Sequence, residues 1–443
     1  MRMTAPARRQ ALAALGTAAA LALTACAGSG GAEGDTNDDV DASTTISDDP
    51  VTLTLAFTDD PPTEALIDGF EEKHSNITIK TQQTPFNDYV KSIKLGMSSD
   101  NPPDLAQYNP GAMNSLVPAG LIQDLGPWSK EYGWQDKFPP ASLEVLSSDE
   151  SAKQFGTGNL YAAPGALSVL GVFYSKSALA DAGVRDVPAT LADFEDAMGR
   201  VKDAGQTPLS LGALQVGGFQ LWNALLNVTG DVASYRDWVY GKPGATIENE
   251  DARKAAEKLA GWIEKGYARE SANATADTDA QADFAAGKSA FLVTGNWAAA
   301  ALEAEMGDDV GFFPMPSPEG GTAKVASGAS VAYAISSKSE HPNEAAAFLD
   351  YLRSPEAAKI QFDTGFMPVD TEAELGAEGV RNEIATAFAP VAQADGIVPF
   401  PDYASPGMID KLTPGVQGLI SGKTTADDFL RSLQESWNEH HGS

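Results

Sequence analysis

The 443-residue chain has one cysteine, Cys26, and four histidines, His74, His341, His440 and His441. A single thiol excludes an internal disulfide and a Cys-rich zinc site, and so few imidazoles leave little for a histidine-built metal centre. Basic residues are also scarce. Against 61 Asp and Glu stand 30 Lys and Arg, a formal net charge of −31, and a surface this acidic repels phosphate backbones and anionic headgroups. Nucleic acid is therefore not an expected partner. No repeat of fixed period is visible, which argues against solenoids and propellers. Catalytic signatures are missing as well. Two Gly-Lys-Ser/Thr triplets occur, at 287–289 and 422–424, but the Gly that a phosphate-cradling loop needs is replaced by Ala282 and Gln417, so both are chance matches. There is no G-x-S-x-G elbow and no H-E-x-x-H. No cofactor, metal or catalytic residue is expected. What the chain does have is 43% hydrophobic and 21% charged residues, enough to bury a core and build two domains.

The first 25 residues read as a targeting segment. Arg2, Arg8 and Arg9 form a basic head, the thirteen residues Ala11–Leu23 are apolar, and Leu23-Thr24-Ala25-Cys26 closes the run with small residues. A membrane span needs roughly 18 apolar residues, so this run is a secretory signal. Leu-Thr-Ala-Cys resembles the lipobox of bacterial lipoproteins, which implies that Cys26 carries a lipid and tethers the protein to the outer face of the cytoplasmic membrane. Cleavage before Cys26 leaves 27 Lys and Arg against 61 acids. Residues 26–50, with seven acids between Glu33 and Asp49 and no Lys or Arg, are expected to be a flexible acidic tether, because they offer too few apolar groups to offset ordering entropy.

From Val51 the pattern changes. Val51, Leu53, Leu55 and Phe57 alternate with Thr52, Thr54 and Ala56, a strand signature. Leu66, Ile67 and Phe70 then fall on one helical face, Ile77–Lys80 reads as a strand, Phe86–Met97 as a helix and Asp104–Tyr108 as a third strand. Alternating strands and helices predict a parallel sheet with helices on its faces. The pattern restarts with extended segments at Leu160–Pro164 and Gly171–Tyr174, a helix over Leu191–Ala204 and a strand over Ser289–Val293. The last helix has a capping box of Thr425 with Asp428 and an apolar face of Phe429, Leu430, Leu433 and Trp437.

Several blocks carry a family resemblance. Gly158-Asn159-Leu160-Tyr161-Ala162-Ala163-Pro164, Val172-Phe173-Tyr174-Ser175-Lys176 and Ala182-Gly183-Val184 resemble the "G-x-L-Y-x-x-P … Y-N-K … A-G" pattern of extracellular sugar-binding proteins of ABC transporters, the group that includes maltose-binding protein. Pro102–Leu105, Phe284–Ala290, Gly295-Asn296-Trp297, Asn343–Leu352 and Ser354-Pro355-Glu356 follow in the same order, and Ser175 departs from the usual Asn. The resemblance implies a two-lobed α/β fold of the periplasmic-binding-protein type II. Residues 51–164 and 331–380 would form lobe 1, and 171–325 and 381–443 lobe 2, with hinge crossings at 165–170 and 326–330. It also implies a monomer that captures a sugar or oligosaccharide and presents it to ABC permease subunits.

Ligands of open α/β sheets bind beyond the carboxyl ends of strands. The residues there are Phe57, Asp59 and Asp60 after the first strand, Gln107, Tyr108 and Asn109 after the third, and Asn296 and Trp297 after Ser289–Val293. A sugar needs amides or carboxylates for its hydroxyls and flat rings for its C–H faces, and this set supplies both. Phe219 and Trp222 join them by resemblance, Phe400 and Tyr403 of the Pro-rich loop 399–403 as further rings, and Asp402 as a candidate hydroxyl acceptor; Trp297 leads because, by resemblance, its Gly-x-Trp turn would face the cleft. Asp59, Asp60 and Asp402 also read as solvated surface charges, and Phe219 and Trp222 as the core face of a helix. Two enzyme-free alternatives to a sugar remain, a polyol or another polar solute. A secreted glycoside hydrolase would need two facing carboxyls at roughly 5 to 9.5 Å.

Overall fold

The computed structural model describes residues 41–58, 62–369 and 378–442. Cys26, the signal segment, Asp59 and Asp60 lie outside them. The strands are β1 (Val51–Phe57), β2 (Ile77–Gln83), β3 (Leu105–Tyr108), β4 (Ser147–Ser148), β5 (Asn159–Leu160), β6 (Ala163–Ser175), β7 (Thr207–Ser210), β8 (Ser289–Gly295), β9 (Val310–Phe313), β10 (Ala326–Ile335) and β11 (Ile397–Val398). Alternation in β1 is realised as read: its four large apolar residues are buried and the intervening ones are not. β1 runs parallel between β2 and β3, with Val51 opposite Ile77 and Leu55 opposite Leu105. Helices Pro62–Lys73 and Phe86–Met97 make the crossovers.

The two extended segments expected at 160–164 and 171–174 prove to be parts of a longer arrangement. Ala163 to Ser175 is one thirteen-residue strand, buried along its whole length, and a strand buried on both faces shows no alternation that could mark its extent. β6 exchanges partners midway. Ala163–Val169 pairs antiparallel with β10, whereas Leu170–Tyr174 pairs antiparallel with β8 and Val172–Ser175 with β9. β10 also changes partners along its length: Ala326 and Ser327 pair with β11, Gly328–Tyr333 with β6, and Ala332–Ile335 with β3 on the other edge. The path β2-β1-β3-β10-β6-β8-β7 is therefore continuous through two strands shared by both halves of a two-lobed α/β body.

Other expectations need correction. The described part of the tether is docked, not free. Ser43 N–H donates to Asn343 Oδ1 and Ser47 N–H to Glu344 Oε1, each at 3.0 Å, while Asn76 Nδ2 donates to the Ser47 carbonyl at 2.8 Å. Polar composition did not keep this stretch solvated, because its backbone found acceptors on the body. At the last helix, Ala426–His441, Thr425 Oγ1 accepts from the Asp428 N–H, but the Asp428 carboxylate bonds the Thr425 hydroxyl instead of its backbone, so the box is not reciprocal. At the C-terminal end of that helix the His441 ring packs on Trp437 and its Nε2 lies 2.8 Å from the Ala404 carbonyl.

Candidate functional site

Both sets of strand ends point at the place where β6 and β10 exchange partners. Tyr108 at the end of β3 lies opposite Ala332, and Gly295 at the end of β8 lies opposite Leu170. The side chains there separate into two groups by burial. Phe57, Gln107, Tyr108, Phe219, Trp222, Asn296, Phe400 and Tyr403 are buried, while Asn109, Trp297 and Asp402 are partly exposed.

Most of the expected ligand residues make packing or hydrogen-bond contacts within the protein. Trp222 meets Phe429 edge-on at 5.0 Å between centroids and donates its indole N–H to the Ala252 carbonyl at 3.3 Å, inside the helical layer. Phe219 shares that helix, Gly217–Thr229, which is apolar on nearly every side and so buried all round. Tyr108 lies beside Tyr89 in the core, where burial pushes both phenols far above their ordinary range. Phe57 is wholly enclosed. Gln107 Oε1 accepts from the Thr58 N–H at 3.3 Å and the Thr63 hydroxyl at 3.2 Å. Phe400 and Tyr403 pack edge-on against each other at 6.1 Å.

Asn296 has a different task. Its Oδ1 accepts from Val169 N–H at 2.9 Å and its Nδ2 donates to the Leu167 carbonyl at 3.1 Å, with the side chain fully buried. It thus clamps β6 at the point of partner exchange: it supplies the acceptor for the Val169 N–H and a second donor to the Leu167 carbonyl, which also accepts from the Met367 N–H at 3.0 Å.

Trp297 stands apart from its own kind. The chain has seven tryptophans, and the other six are fully buried. Its ring lies against Gly295, whose missing side chain makes the room, since a Cβ there would overlap the indole. Asn109 and Asp402 are brought together across 293 residues: Asn109 Nδ2 donates to Asp402 Oδ2 at 2.9 Å. Burial raises the Asp402 carboxyl to about 6, against which the Asn109 bond pulls down. Two residues that sequence reasoning missed complete this contact. Asn114 Nδ2 donates to the Tyr403 carbonyl at 2.8 Å, and a Cβ on Gly111 would sit 2.9 Å from the Tyr403 ring, so the turn Pro110–Ala112 seats flush on the turn Pro401–Ala404. The only signal for them was the Asn-Pro-Gly run following β3.

A cavity of about 880 Å³ also borders the shared strands, at Leu167, Gly328 and Ala329, but its walls are Asp136–Val145 and Ala389–Pro399. It contains none of the sequence-predicted ligand residues. Among the described residues there is no cluster of three or more His, Cys, Asp or Glu arranged to hold a metal.

Residues 56–359 match the family described as bacterial extracellular solute-binding protein. The chain belongs to that family. This solute-binding protein is 25% identical over 388 residues to the maltodextrin-binding protein MdxE of Bacillus subtilis, covering 84% of this chain and 86% of the relative. It is also 25% identical over 314 residues to a maltooligosaccharide ABC transporter solute-binding lipoprotein of Streptococcus pneumoniae, covering 67% of this chain and 70% of the relative. Among solved structures, a chitin oligosaccharide binding protein superposes with a TM-score of 0.73 at 23% identity, covering 88% of this chain and 99% of that one. RafE in complex with raffinose gives 0.68 at 21% identity, covering 88% of this chain and all of the other. At such identities the structures speak for the fold, which is the two-lobed α/β fold of these binding proteins.

Proposed function

We propose that this solute-binding protein captures a sugar or oligosaccharide between its lobes and delivers it to the transmembrane subunits of an ABC importer. The observation that carries this reading is the placement of Trp297, the one partly exposed tryptophan, and of the Asn109–Asp402 pair at strand ends that converge on the shared strands. An indole face stacks on the C–H face of a pyranose, while an amide and a carboxylate bond its hydroxyls. The names of the relatives point the same way. The protein binds and releases without making or breaking a bond, so a monomer with one cleft is sufficient. Lobe boundaries at 51–164 with 331–380, and 171–325 with 381–443, put the hinge in β6 and β10. Ligand closes the lobes by its differential affinity for the closed form. A lipid on Cys26 holds the receptor at the outer face of the membrane.

The test is a thermal-shift screen with maltotriose, raffinose and chitotriose, followed by solution scattering with the best of them. Ligand at about 100 times its Kd adds roughly 2.7 kcal/mol of stability. The radius of gyration should fall on saturation. No shift with any sugar, together with a shift from a polyol, would replace the sugar by the polyol as cargo. Release of reducing ends on incubation would instead establish a glycoside hydrolase.

A further inference from the structure

The carboxylate of Asp402 occupies an unusual electrostatic position. It is partly buried at the contact between the turns Pro110–Ala112 and Pro401–Ala404, and its recorded side-chain partner is the neutral amide of Asn109 at 2.9 Å. Among the described residues no Lys, Arg or His forms an ion pair with it. The groups packed around it offer no positive charge. Tyr235, on the helix Val232–Val239, spends its hydroxyl proton on the Pro399 carbonyl at 2.8 Å, and burial with the nearby Asp402 charge pushes its phenol well up. Arg236 on the same helix is turned to Asp395, which it meets at 3.5 Å, and to the Asp395 carbonyl at 2.9 Å. His441, below the turn, is engaged with the Ala404 carbonyl, and burial lowers its pKa, so the ring is neutral at pH 7. A charge of −31 over the whole chain adds to the same sign.

We propose that Asp402 is the charge filter of the sugar site: its carboxylate, set between the lobes with no protein cation beside it, admits neutral saccharides and rejects acidic ones. This rests on the sugar-receptor reading. A hydroxyl donates to an ionised carboxylate in a charge-assisted bond, so a neutral sugar gains from Asp402. A uronate brought to the same place sets two carboxylates side by side, which cannot both stay ionised cheaply in a desolvated site. Discrimination arises from the repulsive element, with little change in what the neutral ligand gains. Burial raises the Asp402 carboxyl to about 6, whereas an exposed sugar carboxylate remains ionised down to about pH 4. Between those values Asp402 is protonated and donates to the acidic sugar, so the filter opens.

The probe pair is whichever of maltotriose, raffinose and chitotriose gives the largest thermal shift, and the same sugar with one primary alcohol oxidised to a carboxylate. Titration calorimetry at pH 7.5 should find the acid bound at least about 30-fold more weakly than the neutral sugar. Discrimination should shrink severalfold at pH 5. In Asp402→Asn it should be small at both pH values, since the amide donates to a carboxylate. Unfolding of the variant is monitored by circular dichroism, and the wild-type pH series stands as an independent readout if the variant fails to fold. Equal binding of neutral and acidic sugars by the wild type at pH 7.5 would overturn the filter and leave the sugar receptor intact. So would discrimination that persists unchanged in Asp402→Asn or at pH 5. If none of the neutral sugars binds, the sugar-receptor reading falls and the filter with it.

Discussion

Replacing Asn296 with Leu keeps the approximate volume of the side chain and removes both of its bonds to β6. The Val169 N–H is then orphaned where water has no access, while the Leu167 carbonyl keeps the Met367 N–H at 3.0 Å. One orphaned buried backbone donor costs about 1–3 kcal/mol. Unfolding entropy near the melting temperature is about 2.1 cal/mol/K per residue, or about 0.8 kcal/mol/K for a body of about 400 residues. Differential scanning calorimetry of the ligand-free protein should therefore show a melting temperature lowered by about 1–4 °C. The same experiment separates a clamp from a ligand contact. If Asn296 bonded sugar and did not hold β6, Asn296→Leu would leave the melting temperature unchanged and weaken sugar binding tenfold or more. That result would refute the assignment made from its burial and its two hydrogen bonds.

Trp297→Ala should do the reverse: binding of the cognate sugar weakens by about 30- to 700-fold, the effect of losing a central aromatic anchor, with a melting temperature shifted by less than about 2 °C. A large fall in melting temperature at unchanged affinity, measured by calorimetry, would assign the ring to packing. Cys26→Ala should release the protein from membranes into the soluble fraction, and full retention in the pellet would end the lipoprotein reading. Asp402→Asn should stabilise the ligand-free protein more at pH 8 than at pH 5. The raised carboxyl, at about 6, binds its proton more tightly in the folded state than the unfolded value near 3.8. Its stabilising protonation is fully present at low pH and is lost as pH rises through 6, at a cost of at most about 3 kcal/mol that the amide does not incur. A variant-minus-wild-type difference independent of pH would remove Asp402 from that account.

Local regularities carried much of the fold. Helices Phe86–Met97 and Leu191–Asp203 end within one residue of their periodicity, because one apolar stripe facing a sheet is written in the spacing itself. β1 was legible for the same reason, having one pattern on each face. β6 was not, since burial along all thirteen residues erases the alternation. The site was legible in outline only. Position after a strand located the right neighbourhood, yet Phe57 and Tyr108 turn inward, although Tyr108 is followed directly by the partly exposed Asn109. A strand end fixes where the backbone stops and says nothing of which way the next side chain is covered.

By itself the sequence determined the charge, the lack of metal- and phosphate-binding motifs, the secretory signal pattern and the order of strands and helices, because each depends on residues close together in the chain. Only the tertiary structure decided which of seven tryptophans keeps a face toward solvent, and that Asn296 holds β6 across 127 residues. It also decided that Asn109 meets Asp402 across 293. Burial and partner are set by what packs from elsewhere in the chain, and a hydrogen bond closed over hundreds of residues leaves no periodicity at either end.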